Sequence, residues 1–325
     1  MSEPDTGIEN VAAAFASIVD NIEHAVRGKR DAVELVVTAM LAGGHVLVED
    51  LPGVGKTLVA RALAASVHGS WARVQFTPDL LPSDLLGVSV WSDNGSGLDF
   101  RPGPVFRHLV LGDEINRASP KTQSALLEAM EEQQVSVDGI THPLPSPFLV
   151  IATQNPADLA GTYPLPENQL DRFMVRVHLG YPDSETEIDI IDRHLDGSII
   201  EDLQPVCEVQ QVLDLRRSVS SVYVAPALKV YVVELAEASR RHPSLAVGIS
   251  PRASIAIVRA ARVRAASRNR SHVVPDDVQW LLRPVLAHRL TVTPDAELAG
   301  TSTLDVLEDI VSQVPVPTAR RRSGV

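Results

Sequence analysis

The eight residues Asp50-Leu-Pro-Gly-Val-Gly-Lys-Thr57 constrain this chain more than any other segment. They lie between a short apolar run, His45-Val-Leu-Val48, and a helix-length segment from Thr57 to Val67. The run is bounded by glycines and a turn, so it reads as a buried strand. Strand, loop and helix in that order form the setting in which the pattern G-x-x-x-x-G-K-[ST] cradles phosphate. Gly53 and Gly55 let successive backbone N–H groups turn toward an anion with no Cβ in the way. The helix beginning near Lys56 adds the positive end of its dipole. The expected cradle is therefore Pro52, Gly53, Val54, Gly55, Lys56, Thr57 and Leu58. Lys56 would reach the β- and γ-phosphates, and the Thr57 hydroxyl would hold Mg²⁺. One position departs from the pattern. Asp50 stands where the first glycine is expected, and aspartate tolerates unusual backbone angles better than most residues.

A triphosphatase also needs a carboxylate at the metal and a base for water. Leu109-Val-Leu-Gly-Asp113-Glu114 supplies an apolar strand ending in two acids. Asp113 is expected in the Mg²⁺ shell and Glu114 as the base that polarises the attacking water. A third apolar strand, Phe148–Thr153, runs into Gln154-Asn155-Pro156, which sets the Asn155 amide beside the other two motifs.

The surrounding periodicity predicts how these pieces are carried. Ile8, Val11, Phe15, Ile18, Val19, Ile22 and Val26 recur in steps of three and four, a helical stripe that ends at Gly28. Val33, Val36, Val37 and Met40 repeat the pattern up to Gly43-Gly44. A strand is expected at 73–76 and a helix over 120–132, started by Ser119-Pro120. Val135–Thr141 reads as a hairpin turning on Asp138-Gly139. Strands alternating with helices up to about residue 180 imply an α/β fold with a parallel sheet covered on both faces. From 184 onward the strand signals stop. Helical patterns near 184–195, 206–217, 225–240, 252–268 and 276–289 predict a small all-helical domain, with Tyr181-Pro182-Asp183 as a hinge. The division expected is 1–183 for the nucleotide-binding core, 184–313 for the helical part, and 314–325 for a tail without an apolar face to bury.

At this point the chain resembles the AAA+ ATPases and, within them, the MoxR family. The narrower resemblance rests on long strings: Gln75–Gly87 (QFTPDLLPSDLLG), Gly103-Pro-Val-Phe106, Asp113–Met130 (DEINRASPKTQSALLEAM), Ile151–Pro156, Pro164–Phe173 (PLPENQLDRF) and Leu286-Ala-His-Arg289. It covers about 20–290, nearly the whole chain. The resemblance implies an AAA+ P-loop core with a C-terminal helical lid, ATP and Mg²⁺ as cofactors, and a homo-oligomeric ring, hexameric in form. It implies further roles by position. Asn155 looks like the first sensor, and Arg172, in Leu-Asp-Arg-Phe, looks like the arginine finger aimed at a neighbour's γ-phosphate. Arg252, in Ser-Pro-Arg-Ala, looks like the second sensor on the lid. The stretch Val26-Arg27-Gly28 resembles the segment that frames adenine, through Val26 and Gly28. Arg117 follows the acids closely enough to face a subunit boundary or plain solvent. Residues 77–107 resemble an insert of this clade that can touch a client, with Phe100 and Phe106 flanking Arg101-Pro-Gly-Pro104.

Composition narrows the function. Lys and Arg total 29 against 41 Asp and Glu, a net charge of −12, so a broad grip on nucleic acid or anionic lipid is not expected. The one cysteine, Cys207, leaves no intrachain disulfide and suits a reducing compartment. The N-terminal MSEPDTGIEN is acidic and polar, unlike a secretory signal. No apolar stretch approaches the roughly 18 residues of a membrane span, so a cytoplasmic location is expected. By resemblance the chain is an ATP-driven remodelling or metal-insertion motor acting on proteins with von Willebrand factor A domains. The alternatives are a magnesium-chelatase-type motor subunit, a DNA-acting AAA+ protein and a nucleotide-gated scaffold. The DNA reading draws its support from Arg259, Arg262, Arg264, Arg268 and Arg270, although no helix-turn-helix segment follows residue 290.

Overall fold

The computed structural model of the protein describes residues 6–51, 53–92, 97–155, 161–196 and 203–317. Pro52 and residues 318–325 of the expected tail lie outside the described residues. The core is a five-stranded sheet of β1 (Val46–Glu49), β2 (Trp71–Gln75), β3 (Leu109–Asp113), β4 (Leu149–Gln154) and β5 (Val175–Val177). Their order is β5-β1-β4-β3-β2, all pairs parallel, with Val46 opposite Ile151 and Val175, and Leu109 opposite Leu149 and Trp71. A parallel sheet buries both faces, and its strands accordingly read as continuous apolar runs.

Alternation along the strands divides the core in two. Val46, Val48, Leu109, Leu111, Leu149 and Ile151 belong to one buried cluster. Leu47, Val110, Val150 and Ala152 belong to the other. The first cluster takes in helices α1 (Thr6–Ala25), α2 (Arg30–Ala42) and α3 (Lys56–Ser66). The second is closed by α4 (Pro120–Glu132), through Leu126, Leu127 and Met130. Ser119 caps α4 by accepting the Thr122 N–H, and Asp138 and Gly139 both have positive φ (50° and 79°) at the hairpin tip.

Beyond the sheet the chain forms α5 (Ser184–Asp196), α6 (Val209–Ser220), α7 (Pro226–Arg241), α8 (Pro251–Ser267), α9 (Pro275–Leu286) and α10 (Thr303–Gln313). Buried residues of α6 to α10 share one continuous cluster with α1 and α2, so packing runs across the boundary drawn at residue 183. Glu34 of α2, itself buried, is bonded by Arg264 of α8. Three details differ from the sequence expectations. Short strands occur after residue 184, at Cys207–Glu208, Leu245–Val247 and Thr291–Val292. The 77–107 insert contains a hairpin, Gly87–Trp91 with Leu98–Pro102, where Gly87 and Gly103 come so close that a Cβ on Gly103 would lie 2.2 Å from the Leu85 carbonyl. Val314, placed in the tail, is only 8% exposed, because it ends α10 on the apolar side of that helix.

His45 fixes the start of β1. Its Nδ1 accepts the Val150 N–H at 3.0 Å, which makes Nε2 the donor to the Met130 carbonyl at 3.2 Å. Burial lowers its pKa to about 4, only partly offset by the Met130 bond, so the ring is neutral in the native state. The unfolded chain therefore binds more protons between pH 6.5 and 4, and stability from this site is lost as pH falls through that window. Urea unfolding at pH 7 and pH 5 should differ by about 2 kcal/mol more in the wild type than in His45→Gln, which keeps an acceptor and a donor. Equal pH dependence in the two proteins would remove His45 as the source.

Candidate active site

The carboxyl ends of β1, β3 and β4 meet at one place. After β1 the loop turns through Gly53 (φ 85°) and Gly55 (φ 92°), and Gly55 is the N-cap of α3. Added Cβ atoms at these glycines would find open space or ordinary contact, so conformation rather than room demands glycine here. Lys56 opens the helix, and its ammonium donates to the carbonyls of Asp50 (2.5 Å) and Gln154 (3.3 Å). Burial lowers its pKa, while Asp50, Glu114 and Asp113 act the other way. An anion in the cradle would meet a lysine already aimed across the loop.

Asp113 ends β3 and is buried, and the Thr57 hydroxyl lies 3.4 Å from both its oxygens. Thr153 donates to Oδ1 at 3.2 Å and Arg73 Nε to Oδ2 at 2.7 Å. Glu114 follows in a left-handed conformation (φ 57°, ψ 52°), its N–H held by Thr153 Oγ1 at 3.0 Å. That twist turns its side chain away from the strand direction. The carboxylate accepts from Gln75 Nε2 and from Arg117, both at 3.0 Å. Asn155 is buried directly after β4, and Asn116 Nδ2 lies 3.5 Å from its carbonyl. The expected residues Lys56, Thr57, Asp113, Glu114 and Asn155 are thus brought together. Arg73, Gln75 and Thr153 join them without having been singled out. Their signal was position: each is a polar residue near the carboxyl end of a strand beside β3.

Among the described residues no group of three or more His, Cys, Asp or Glu side chains is gathered for a metal. One hydroxyl and one carboxylate suit Mg²⁺ nonetheless, since that ion takes few protein ligands and completes its shell with phosphate and water. Val26 is buried and Gly28 (φ 67°) lies against α5, where a Cβ would stand 3.1 Å from the Thr186 hydroxyl. The first turn of α5 thus walls the same side of the core as the segment expected to frame adenine.

Asp50 has a role that the loop pattern does not suggest. Its Oδ2 accepts the N–H groups of Leu179 (2.6 Å) and Gly180 (2.7 Å), and Oδ1 that of Leu51 (2.9 Å). Partial burial pushes its pKa up, but the Gly180, Leu51 and Leu179 bonds outweigh it and hold the carboxyl below its usual range. The residue ties the phosphate loop to the strand that leads into the helical part.

Arg172 and Arg252 are not at this place. They come together elsewhere, both on Glu131 of α4: Arg172 at 3.1 Å, with a further 2.6 Å bond to the Leu127 carbonyl, and Arg252 beside it. Ser250 caps α8 through the Ala253 N–H and also donates to Asp171, which Arg289 grips at 3.2 Å. A cavity of about 380 Å³ opens there, lined by Gly44, His45, Glu131, Arg172, Arg252 and Arg259 among others. Gly44 and His45 precede β1, whereas the glycine loop follows it. The arginines and the cradle therefore lie at opposite ends of that strand.

A glycine loop entering a helix, a buried aspartate facing its threonine and an attached helical lid define a P-loop nucleoside triphosphatase. Residues 45–175 match the AAA family of ATPases associated with various cellular activities, and residues 237–310 match the AAA lid domain. YeaC of Bacillus subtilis is 46% identical over 312 residues, covering 96% of this chain and 98% of its own. Chaperone MoxR1 of Mycobacterium tuberculosis is 40% identical, over 97% of this chain and 86% of its own. A crystal structure of a candidate ATPase from Cytophaga hutchinsonii superposes with a TM-score of 0.89 at 35% identity, covering 97% of this chain and 98% of that one. The chain belongs to the MoxR family of AAA+ ATPases. No helix among the described residues is long and apolar enough to cross a membrane.

Replacing Asp50 by the glycine of the common loop pattern tests its tie. Asp50→Gly removes three charge-assisted bonds at a partly exposed site, two of them to the 179–180 segment, so stability should fall by about 1–2 kcal/mol. Amide exchange at Leu179 and Gly180 should accelerate at least about tenfold, as the linkage of opening to exchange requires. Unchanged exchange at both amides would show that the tie does not hold them.

Proposed function

We propose that this ATPase works as a ring of like subunits, hexameric in form, whose hydrolytic sites are each completed by the adjacent copy, and that it remodels a client protein. The observation that supports this is the separation of Arg172 and Arg252 from the cradle along β1. Arginines that flank a cavity at the far end of the sheet serve catalysis when that end abuts another copy's phosphate loop.

In this reading ATP with Mg²⁺ supplies the phosphoryl group and the charge that polarises it. Backbone N–H groups around Gly53 to Thr57 bind the phosphates, and Lys56 leaves the carbonyls of Asp50 and Gln154 to meet them. Thr57 and Asp113 would hold the metal, with Arg73 and Thr153 fixing the carboxylate. Glu114 takes the proton of the attacking water once released from Gln75 and Arg117, and Asn155 orients that water. Val26 and Gly28 frame the base. Arg172 and Arg252 of the adjacent copy exchange Glu131 for the γ-phosphate, where a planar, always-charged fork meets the developing negative charge.

The client side rests on less polar surface. Trp91 and Leu98 of the insert hairpin are 76% and 56% exposed, and Ile140 on the neighbouring hairpin is 63% exposed. Phe100 stacks on His142 at 3.9 Å and meets Phe106 edge-on at 5.4 Å, so the two hairpins are joined. Apolar groups on a braced projection suit contact with a partner protein. By resemblance that partner carries a von Willebrand factor A domain, and a chaperone role agrees with the name of the mycobacterial relative.

Two experiments test the site. Lys56→Ala should abolish ATP binding, whereas Glu114→Gln should retain it and stop turnover, since an amide cannot accept the water's proton. Normal turnover in Glu114→Gln would remove it from the base role. Arg172→Ala should bind ATP and lose turnover by about 10³-fold or more. Mixing Arg172→Ala with Glu114→Gln subunits should return partial activity, because some boundaries then pair an intact Glu114 with an intact Arg172. Wild-type turnover by Arg172→Ala alone would refute the shared site.

A further inference from the structure

The five arginines at 259–270 take different directions in the fold. Arg264 and Arg268 turn to Glu34, and Arg264 also lies 3.8 Å over the Trp280 ring. Arg270 makes two bonds to Asp277, at 2.6 and 2.8 Å. These three are satisfied by acids of the same chain. Arg259 and Arg262 face the other way, where they meet Arg216 of α6 around a cavity of about 210 Å³ that Leu41, Gln133 and Val219 also line.

No carboxylate pairs with these three among the described residues. Arg216 gives Nε and Nη2 to the Met40 carbonyl (2.9 and 2.6 Å), and Arg259 reaches the Gly43 carbonyl at 3.3 Å. Arg262 Nε is buried and has no partner. Carbonyls at the end of α2 carry about half a negative charge in total, against three positive ones. Burial, then the charge of Arg259, lowers the Arg216 guanidinium to about 10, and burial lowers Arg259 as well. Clustered, half-desolvated cations of one sign call for an anion from outside.

The position of the groove narrows what that anion is. Arg252, Arg259 and Arg262 follow one another along one face of α8 over about 15 Å. Arg259 lines both this groove and the cavity that holds Arg172 and Arg252. The groove is therefore continuous with the face that we assign to the adjacent copy. The opposite, cradle-bearing side carries a complementary surface on α5. Thr186 and Asp189 of that helix turn inward, to Gly28 and Arg27. Glu187, Ile188, Ile191 and Asp192 form the outward stripe at i, i+1, i+4 and i+5, with Ile188 and Ile191 61% and 54% exposed. Ile255, also on the cavity side of α8, is 60% exposed and offers them an apolar counterpart.

We infer that α5 of one copy docks its outward stripe against the adjacent copy, with Glu187 and Asp192 entering the Arg216–Arg259–Arg262 groove and the isoleucines meeting Ile255. This contact depends on the shared site proposed above. It would hold the start of the helical part of one subunit against α8 of the next.

Charge exchange tests it. Three variants are compared with the wild type by sedimentation velocity in ATP: Arg259→Glu with Arg262→Glu, Glu187→Arg with Asp192→Arg, and all four changes together. Each two-residue variant should need at least about tenfold more protein to assemble, since like charges then face each other. The fourfold variant should return to within about threefold of the wild type, a recovery that misfolding cannot produce. Wild-type assembly by either two-residue variant would overturn the contact. So would a fourfold variant as weak as the groove variant, which would give the arginines to another anion such as the nucleotide phosphates. A wild type that remains monomeric with ATP at every concentration would overturn the shared site itself, and this contact with it.

Discussion

A buried carboxylate needs donors, and Asp113 collects them from three elements around the site. Arg73 reaches it from β2, Thr153 from β4 and Thr57 from the first turn of α3, while its own backbone ends β3. Left without those partners, a carboxylate this far from water would cost several kcal/mol. Satisfying it therefore sets the relative positions of three parallel strands and the helix that carries the phosphate loop. The same set also fixes the next residue. Thr153 gives its hydroxyl hydrogen to Asp113 and accepts the N–H of Glu114, so one side chain orients both acids.

This arrangement explains which parts of the fold were readable in the sequence. The glycine loop, the two acids after an apolar strand and the capped helix at Pro120 are local patterns in which spacing alone dictates geometry. So is the Asp138-Gly139 turn, where both residues must take positive φ. The β5 strand was not separately identified, because Val175–Val177 is three residues long and completes the sheet only by pairing with β1. The insert hairpin was hidden for a similar reason. Its strands Gly87–Trp91 and Leu98–Pro102 lack strict alternation, and the approach of Gly87 to Gly103 that shapes it is a contact between segments. Charge partners were unreadable too. Five arginines within twelve residues look like one basic patch until the fold sends three of them to Glu34 and Asp277. That division removes most of the support a nucleic-acid surface had.

The site has two ends, and the chemistry of each suits a different moment. At the cradle, Lys56 rests on carbonyls and Glu114 on Gln75 and Arg117, so the cation and the proposed base are held by partners that phosphate or water can displace. At the far end, Arg172 and Arg252 share a single carboxylate, Glu131, that is about one-third exposed. A surface ion pair of this kind contributes little to stability. In the proposed shared site, exchanging it for a triphosphate therefore costs little, and charge–charge attraction grows as water leaves the boundary.

Asp50 gives the arrangement its mechanical sense. A glycine at that position would leave the loop free of the segment at 179–180, whereas the carboxylate clasps two consecutive N–H groups there. Those groups lie just before Tyr181-Pro182, and Lys29 at the start of α2 donates to the Tyr181 carbonyl at 2.8 Å. The glycine loop, the start of α2 and the segment 179–181 that leads into α5 are thereby joined by side-chain bonds to backbone. Such bonds have one geometry each, unlike the sliding contacts of apolar packing. In the proposed reading, a change in the loop when the phosphates change pulls on the segment at 179–180 or breaks a charge-assisted bond. The departure from the common loop pattern is, in that proposed reading, the residue that connects hydrolysis to the helical part.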